Sequence, residues 1–578
     1  MLNAPRDAQN YKMEGLKQMS EQKLPTVNKL VRDETMSGIY IKPVFTPEDI
    51  KDINYERDLG DPGSYPYTRG IYPEMYRSRL WQKSFIVCYA SPEETNAGFK
   101  KIMEKGVGGL RVSTDLACQM GLDPDHPIAW NSLMCGGTNA YAINIYQREF
   151  DGLPLENATY EMGTGGILDT VYMYTAAAAN LELHGGNLAN LKGSGIGNLL
   201  RSKLVYGFES WPTEIERRVM LDHIEFTMAN TPKWYPFAPN GVDPNQAGLN
   251  AVHEVAEALG EAMVILDGLV ERGHTLDEYG GMVFALDSDS DFFETICKYR
   301  AIRRMWAKIA KERYGAKKES TMKLKLGLRT SGMSLQAQRP LANTARVTLQ
   351  ILESVLAGVN SIDACSIDEA MGLPSNEARQ FSLDAHNIII HEANIPLTAD
   401  PLGGSYYVEW LTNKIEQEAT AYMKDVEERG GWLACLENGY LKSVLEADRL
   451  TCQREKAEGK RLIVGVNAFP GDEGAINAAI GDNAAPTPTI ADREKWVAEF
   501  KQFCASRDYP ALSEATRKLF ADTKSGANIS RAAIDAVKLG MTSGEFCGVI
   551  RMAYGLEYDF TGMVQAPAFI TEALKDML

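Results

Sequence analysis

Eight short apolar runs lie between residues 84 and 365, and helix-like stretches separate most of them. They are Ser84–Ala90, Gly109–Asp115, Ala158–Thr164, Leu188–Gly195, Trp234–Asp243, Met282–Asp287, Lys323–Thr330 and Ser361–Cys365. Strand and helix units alternating at this count predict a parallel (β/α)8 TIM barrel. Barrel interiors are usually filled by Val, Ile and Leu. These strands instead carry Ser113, Thr114, Gly163, Thr164, Gly193, Ser194, Gly195 and Ala238. Small side chains at those places predict an axis open enough to admit a long, thin ligand.

The rest of the chain divides around that unit. Residues 1–65 are read as an N-terminal arm, 66–395 as the barrel and 396–578 as a helical C-terminal region. Apolar residues at helical spacing predict helices over Asn250–Arg272 and Asp291–Tyr314. Beyond 400 the pattern predicts Asn413–Arg429, Trp432–Glu458, Asp492–Ser506, Ser530–Leu539 and Ser543–Tyr554, with a Pro-containing linker over 481–493.

Composition narrows the function classes. The net charge of −17 argues against nucleic acid and against an anionic membrane surface. No apolar run reaches the ~18 residues of a membrane span, and the first residues lack the apolar core of a secretory signal. Nine scattered cysteines, never in Cys-x-x-Cys spacing, read as free thiols of a cytoplasmic protein.

The usual catalytic signatures are missing. No two of the seven histidines sit at i,i+4 or in metal-ligand spacing, and no Gly-x-Ser-x-Gly elbow exists. The run 184–198 is Gly-rich but lacks the Gly-Lys-Ser/Thr ending of a phosphate loop. The acidic run 286–291 lacks the Gly and Glu of a calcium loop and reads as a helix cap. Three tyrosines and three arginines within 67–81 suit a nucleotide clamp and a solvated arm with structural tyrosines equally well. A large barrel without acid–base, nucleophile or metal machinery points to a cofactor as the source of chemistry.

Several segments, taken in order, resemble the large catalytic chain of the methylmalonyl-CoA mutase family. They are TRGIYPEMYRSRLW (68–81), GLRVSTDL (109–116), TPKW (231–234), RAIRRMWAKI (300–309), TSGMSLQAQ (330–338), SIDEAMGLP (366–374), DPLGGSYYVEWLT (400–412) and LIVGVN (462–467). The resemblance implies a radical 1,2-migration of a CoA-thioester group with adenosylcobalamin as cofactor, and a barrel threaded by the CoA arm. The family's cobalt-ligating Asp-x-His-x-x-Gly is absent from this sequence. That implies a separate small cobalamin-binding subunit of roughly 130–150 residues, one ordinary domain, in a heterotetramer or heterodimer. A G-protein chaperone is a further candidate partner.

Carried over position by position, the resemblance places Tyr72, Met75, Arg79 and Lys325 on CoA. Glu369 falls on the adenosyl ribose, and Leu116, Gln246, Gly332 and Leu373 on the cobalamin-facing surface. The acyl pocket departs from the family pattern. Ile86 replaces a tyrosine, Ser113 stands where 2-hydroxyisobutyryl-type relatives carry an aspartate, and Gly193 and Ser194 replace a glutamine and an asparagine. Asp243 replaces the histidine that donates to the thioester carbonyl, so it is expected to work as a protonated donor. The carboxylate-binding arginine falls on Arg201 or Lys203. The lost volume predicts a substrate bulkier than methylmalonyl-CoA, such as an aryl- or alkyl-substituted succinyl-CoA. Alternatives are a branched acyl-CoA mutase of the isobutyryl or 2-hydroxyisobutyryl type, a CoA-binding subunit that has lost mutase chemistry, and a cobalamin-independent lyase.

Overall fold

A computed structural model describes residues 32–163, 165–207, 211–470 and 488–578. The first half of the arm, Thr164 and most of the 481–493 linker lie outside those residues. Eight parallel strands form: β1 Gln82–Val87, β2 Gly109–Val112, β3 Thr159–Met162, β4 Lys192–Gly195, β5 Lys233–Tyr235, β6 Met282–Ser288, β7 Leu324–Thr330 and β8 Ser361–Asp363. Their order is β5-β4-β3-β2-β1-β8-β7-β6. The seam between β5 and β6 is closed by Gly241 N–H donating to the Ala285 carbonyl and Ala285 N–H donating to that of Pro239, both at 2.8 Å. This is the predicted TIM barrel.

Two runs are only partly strand: one starts late and one ends early. Leu188–Asn190 is a 3-10 turn before β4. The run after Trp234 contains Pro236 and Pro239, which lack the N–H that a sheet ladder needs. The chain therefore leaves the sheet, and Asp243 sits on the short helix Val242–Ala247.

Inside and outside alternate along each strand, since successive side chains point to opposite faces. Leu110, Val112, Tyr160, Met162, Phe284, Leu286, Leu326 and Ile362 are buried outward, against the surrounding helices. Ser84, Gly109, Thr159, Ser194, Ala285, Gly327 and Ser361 fall on the inward face and keep the axis open.

The helices begin where caps are available. The Asn250 side chain accepts from His253 N–H to start Ala251–Glu271. Asp291 accepts from Glu294 N–H to start Phe292–Glu312, so the acidic run 286–291 ends in a cap. Ser405 caps Tyr406–Glu428, which therefore begins seven residues before the predicted Asn413. Gly439, at φ +81°, divides the predicted Trp432–Glu458 into Trp432–Glu437 and Tyr440–Ala457. Tyr509–Ser525, capped by Asp508, is a helix the sequence reading missed. The apolar core runs unbroken from Ile39 to Leu574.

The motif RAIRRMWAKI proves structural. Its three arginines are almost fully buried. Arg300 pairs with Asp400 and Glu409. Arg303 donates to the carbonyls of Tyr67, Thr68 and Ala357 at 2.8–2.9 Å. Arg304 reaches the Asp58 carbonyl. Arg303 and Arg304 thereby pin residues 58–68 and so fix the segment that follows.

One buried group works against stability. Glu149 ends the helix Ile143–Glu149, is fully buried and has no partner for either carboxyl oxygen among the described residues. Burial pushes its carboxyl up to about 8, against about 4.3 in an unfolded chain. The folded state thus holds a proton that the unfolded state releases. This contribution is complete below pH ~4.3 and is lost as pH rises through the folded value. Glu149→Met should be more stable than the parent at pH ~8 by on the order of 2–4 kcal/mol, with little gain at pH ~5. Melting curves at both pH values check this, and a gap independent of pH overturns it.

Candidate functional site

A channel of about 450 Å³ runs along the barrel axis. Its mouth lies at the N-terminal ends of the strands, where Tyr72, Met75, Tyr76, Arg79 and Trp81 line it. This placement follows from the chain order, because these residues lead directly into β1. Four cations stand at this end: Arg79, Lys192, Lys233 and Lys325. Tyr67 and Tyr76 are buried, and Arg69 is paired with Asp400. The 67–81 segment is therefore part structural clamp and part channel rim. The Lys325 ammonium donates to the Tyr235 hydroxyl and lies 4.7 Å from that ring's centre.

Deeper in, the channel meets a chain of charges that the sequence reading missed. Arg111 Nη1 lies 2.8 Å from Asp363 Oδ2, and its Nε lies 3.1 Å from Glu161 Oε1. Arg329 Nη1 shares the same Asp363 oxygen at 3.3 Å and also pairs with Glu369. Burial pushes the Glu161 carboxyl up, with Arg111 acting against that shift. A signal for these residues was present: each is a charge inside an apolar run, in GLRVS, TYEMG, KLGLRTS and SIDAC.

The acyl-pocket candidates separate. Ile86 lies on the inward face of β1, beyond Ser84 and in register with Arg111, just past the residues that line the channel. Ser194 lines the channel in register with Glu161. Gly193 contributes no side-chain room. A Cβ there would sit 1.9 Å from the Tyr160 carbonyl oxygen and 2.7 Å from the Trp234 ring. The glycine is required by packing outside the axis. Gly163 and Gly195 likewise back onto Thr170, and Thr114 hydrogen-bonds to Asp169 at 3.1 Å. Ser113 is buried with its hydroxyl toward the carbonyls of Thr114 and Gly136, away from the channel lining.

Asp243 sits against a cation: Arg201 Nη1 lies 2.9 Å from its Oδ2. The donor type at this place is Tyr206. Burial pushes the Tyr206 phenol up, and its hydrogen bond to Asp243 adds to the shift. Arg201 also donates to the Gly165 carbonyl at 2.6 Å and lies over the Tyr206 ring. Lys203 faces away, onto Glu216 at 3.2 Å and the Trp211 carbonyl at 2.6 Å.

The remaining candidates gather at the opposite end. Leu116, Gln246, Gly332, Glu369 and Leu373 follow the C-terminal ends of β2, β5, β7 and β8, and these ends share one face in a parallel barrel. Leu116 is 42% exposed there and Met333 is 59% exposed. A Cβ on Gly332 would sit 3.5 Å from Gln246 Oε1, and Gln246 donates to Asp287 at 2.8 Å. A flat apolar cofactor with hydroxyl groups fits this mix of exposed apolar surface, amide and carboxylate. No group of three or more metal-ligating side chains occurs among the described residues. No helix among them is long and apolar enough to cross a membrane.

A sequence profile of the methylmalonyl-CoA mutase family matches residues 34–556. The large subunit of 2-hydroxyisobutanoyl-CoA mutase from Aquincola tertiaricarbonis is 29% identical over 528 residues, covering 90% of this chain and 92% of that one. A probable mitochondrial methylmalonyl-CoA mutase from Caenorhabditis elegans is 30% identical over 523 residues, covering 90% and 69%. The methylmalonyl-CoA mutase of Escherichia coli is 29% identical over 532 residues, covering 92% and 73%.

Proposed function

This chain belongs to the methylmalonyl-CoA mutase family, and from that premise we propose that it is the large, acyl-CoA-binding subunit of a cobalamin-dependent acyl-CoA mutase. The observation that carries this reading is the axial channel itself. It is thin, opens at a cationic rim and runs toward polar groups near the far face. Phosphates at Arg79, Lys192, Lys233 and Lys325 would leave the pantetheine arm to run past Ser84, Thr159 and Gly327. The thioester would then reach the level of Arg111 and Ile86. When bound at the C-terminal face, adenosylcobalamin supplies the radical for such rearrangements. The residues of this chain bind and orient the ester and keep water from it. Glu369, already paired with Arg329, would accept hydrogen bonds from ribose hydroxyls. The cobalamin itself is held mainly by a separate small subunit.

The acyl group is bulkier than methylmalonyl, as in an aryl- or alkyl-substituted succinyl-CoA. The room comes from Ile86 and Ser194; Gly193 adds none, and Arg111 and Glu161 take back part of it. The match along 90% of this chain and 92% of a 2-hydroxyisobutanoyl-CoA mutase large subunit favours a branched acyl-CoA as the second reading. Ile86→Tyr tests the pocket. Overfilling a packed site costs ~1–3 kcal/mol, so turnover of a bulky acyl-CoA should fall while free CoA still binds. Methylmalonyl-CoA proving the best substrate of the unaltered protein would exclude the enlarged pocket.

A further inference from the structure

Around the inside of the barrel, at the level of Ile86, the paired positions are Ile86, Arg111, Glu161, Ser194 and Tyr235. Arg111 is the one cation of that layer, and its side chain is only 8% exposed. One of its terminal nitrogens is held by Asp363. Its Nε is buried and close to Glu161, yet forms no aligned hydrogen bond. The guanidinium is thus out of water with a donor unspent, on the wall of the channel. Arg329, the other deep arginine, is already shared between Asp363 and Glu369. Arg201, one of the two cations that the resemblance assigns to the substrate carboxylate, is occupied by Asp243 and the Gly165 carbonyl and lies outside the lining.

A half-satisfied buried arginine is poised for a planar anion. Guanidinium and carboxylate match two donors to two acceptors, and the pairing strengthens where water is excluded. Glu161 is the group that would give way. Its side chain is 25% exposed and approaches Arg111 from the adjacent strand without good alignment. Asp363 would stay, held by Arg329 as well.

Resting on the acyl-CoA reading above, we propose that Arg111 is the specificity residue of the acyl pocket: it receives a carboxylate carried by the acyl group, in the place now taken by Glu161. Arg111 thereby takes the role that the sequence assigned to Arg201 or Lys203. A neutral acyl group leaves the donor unspent, and sites built to pair a polar group reject analogues lacking it.

The test compares free CoA, butyryl-CoA and succinyl-CoA, the two esters having four-carbon chains and differing by a terminal carboxylate. Calorimetric titration of the full chain should show succinyl-CoA bound at least about tenfold more tightly than butyryl-CoA. Arg111→Met should bring the two esters to about the same affinity and leave free CoA unchanged. Arg111→Lys keeps the charge and covers the case in which Arg111→Met fails to fold; it should lose most of the preference, because an ammonium cannot make the forked contact. Glu161→Gln should keep the preference. A preference that survives in Arg111→Met or in Arg111→Lys overturns the proposal, as does its absence from the unaltered chain while CoA still binds. Failure of free CoA to bind the unaltered chain overturns the acyl-CoA reading as well.

Discussion

Mutase turnover should be at background with this chain alone and should appear when adenosylcobalamin and a cobalamin-binding small subunit are added together. The expectation rests on where the histidines are. His126 and His253 each sit against an aspartate, and His274 against a glutamate. His223 and His386 are buried, and burial pulls both down to about 3. None stands among Leu116, Gln246, Gly332 and Glu369 at the C-terminal face. Among the described residues, the candidates at that face offer surface, an amide and a carboxylate but no imidazole for cobalt. Absorbance spectra and product formation would follow the reconstitution. Stoichiometric cobalamin on the chain alone, with turnover, would sink the divided-subunit reading. Tight acyl-CoA binding without turnover after reconstitution would favour a subunit that has lost mutase chemistry.

The second large effect concerns an ion pair beneath that same face. Lys298 and Glu254 are both fully buried, 2.6 Å apart. Glu254 also accepts from Asp287 N–H at 2.9 Å and from Asn245 at 3.0 Å, while Lys298 donates to the Asp287 carbonyl at 2.7 Å. The pair therefore holds the end of β6 to the short helix that carries Gln246. Removing one member strands a charge in a low-dielectric interior. Glu254→Leu and Lys298→Met should each cost ~3–5 kcal/mol, a large share of a typical folding free energy. The joint change Glu254→Leu with Lys298→Met should recover much of that, since no charge is left behind. Chemical denaturation in a double-mutant cycle measures the coupling. Strictly additive losses would mean the two residues act separately.

Much of the architecture was legible from the residues in order. Strand count, parallel arrangement and helix starts at Asn250 and Asp291 follow from local apolar runs and capping chemistry, which act within a few residues. The boundaries that slipped did so where a local cap overrode apolar spacing, as at Ser405, or where a glycine broke a periodic run, as at Gly439. The candidate site was legible only in part. The resemblance named Tyr72, Met75, Arg79 and Lys325, which stand at the channel mouth, and Leu116, Gln246, Gly332 and Glu369, which follow the C-terminal ends of strands.

By itself the sequence determined that this chain closes into a barrel with small residues in its strands and a cation-bearing segment leading into β1. Only the tertiary structure decided which of those residues face the axis. Strands of a parallel barrel are buried on both sides, so their apolar runs carry no mark of inside and outside. Gly193 therefore read as pocket space, although it abuts Tyr160 and Trp234. Charge pairing was hidden for a related reason. Arg111 and Asp363 are 252 residues apart in the chain and meet only because β1, which pairs with both β2 and β8, brings their strands together. Whether a buried arginine is free for a ligand or spent on a neighbour depends on that closure, and no local pattern encodes it.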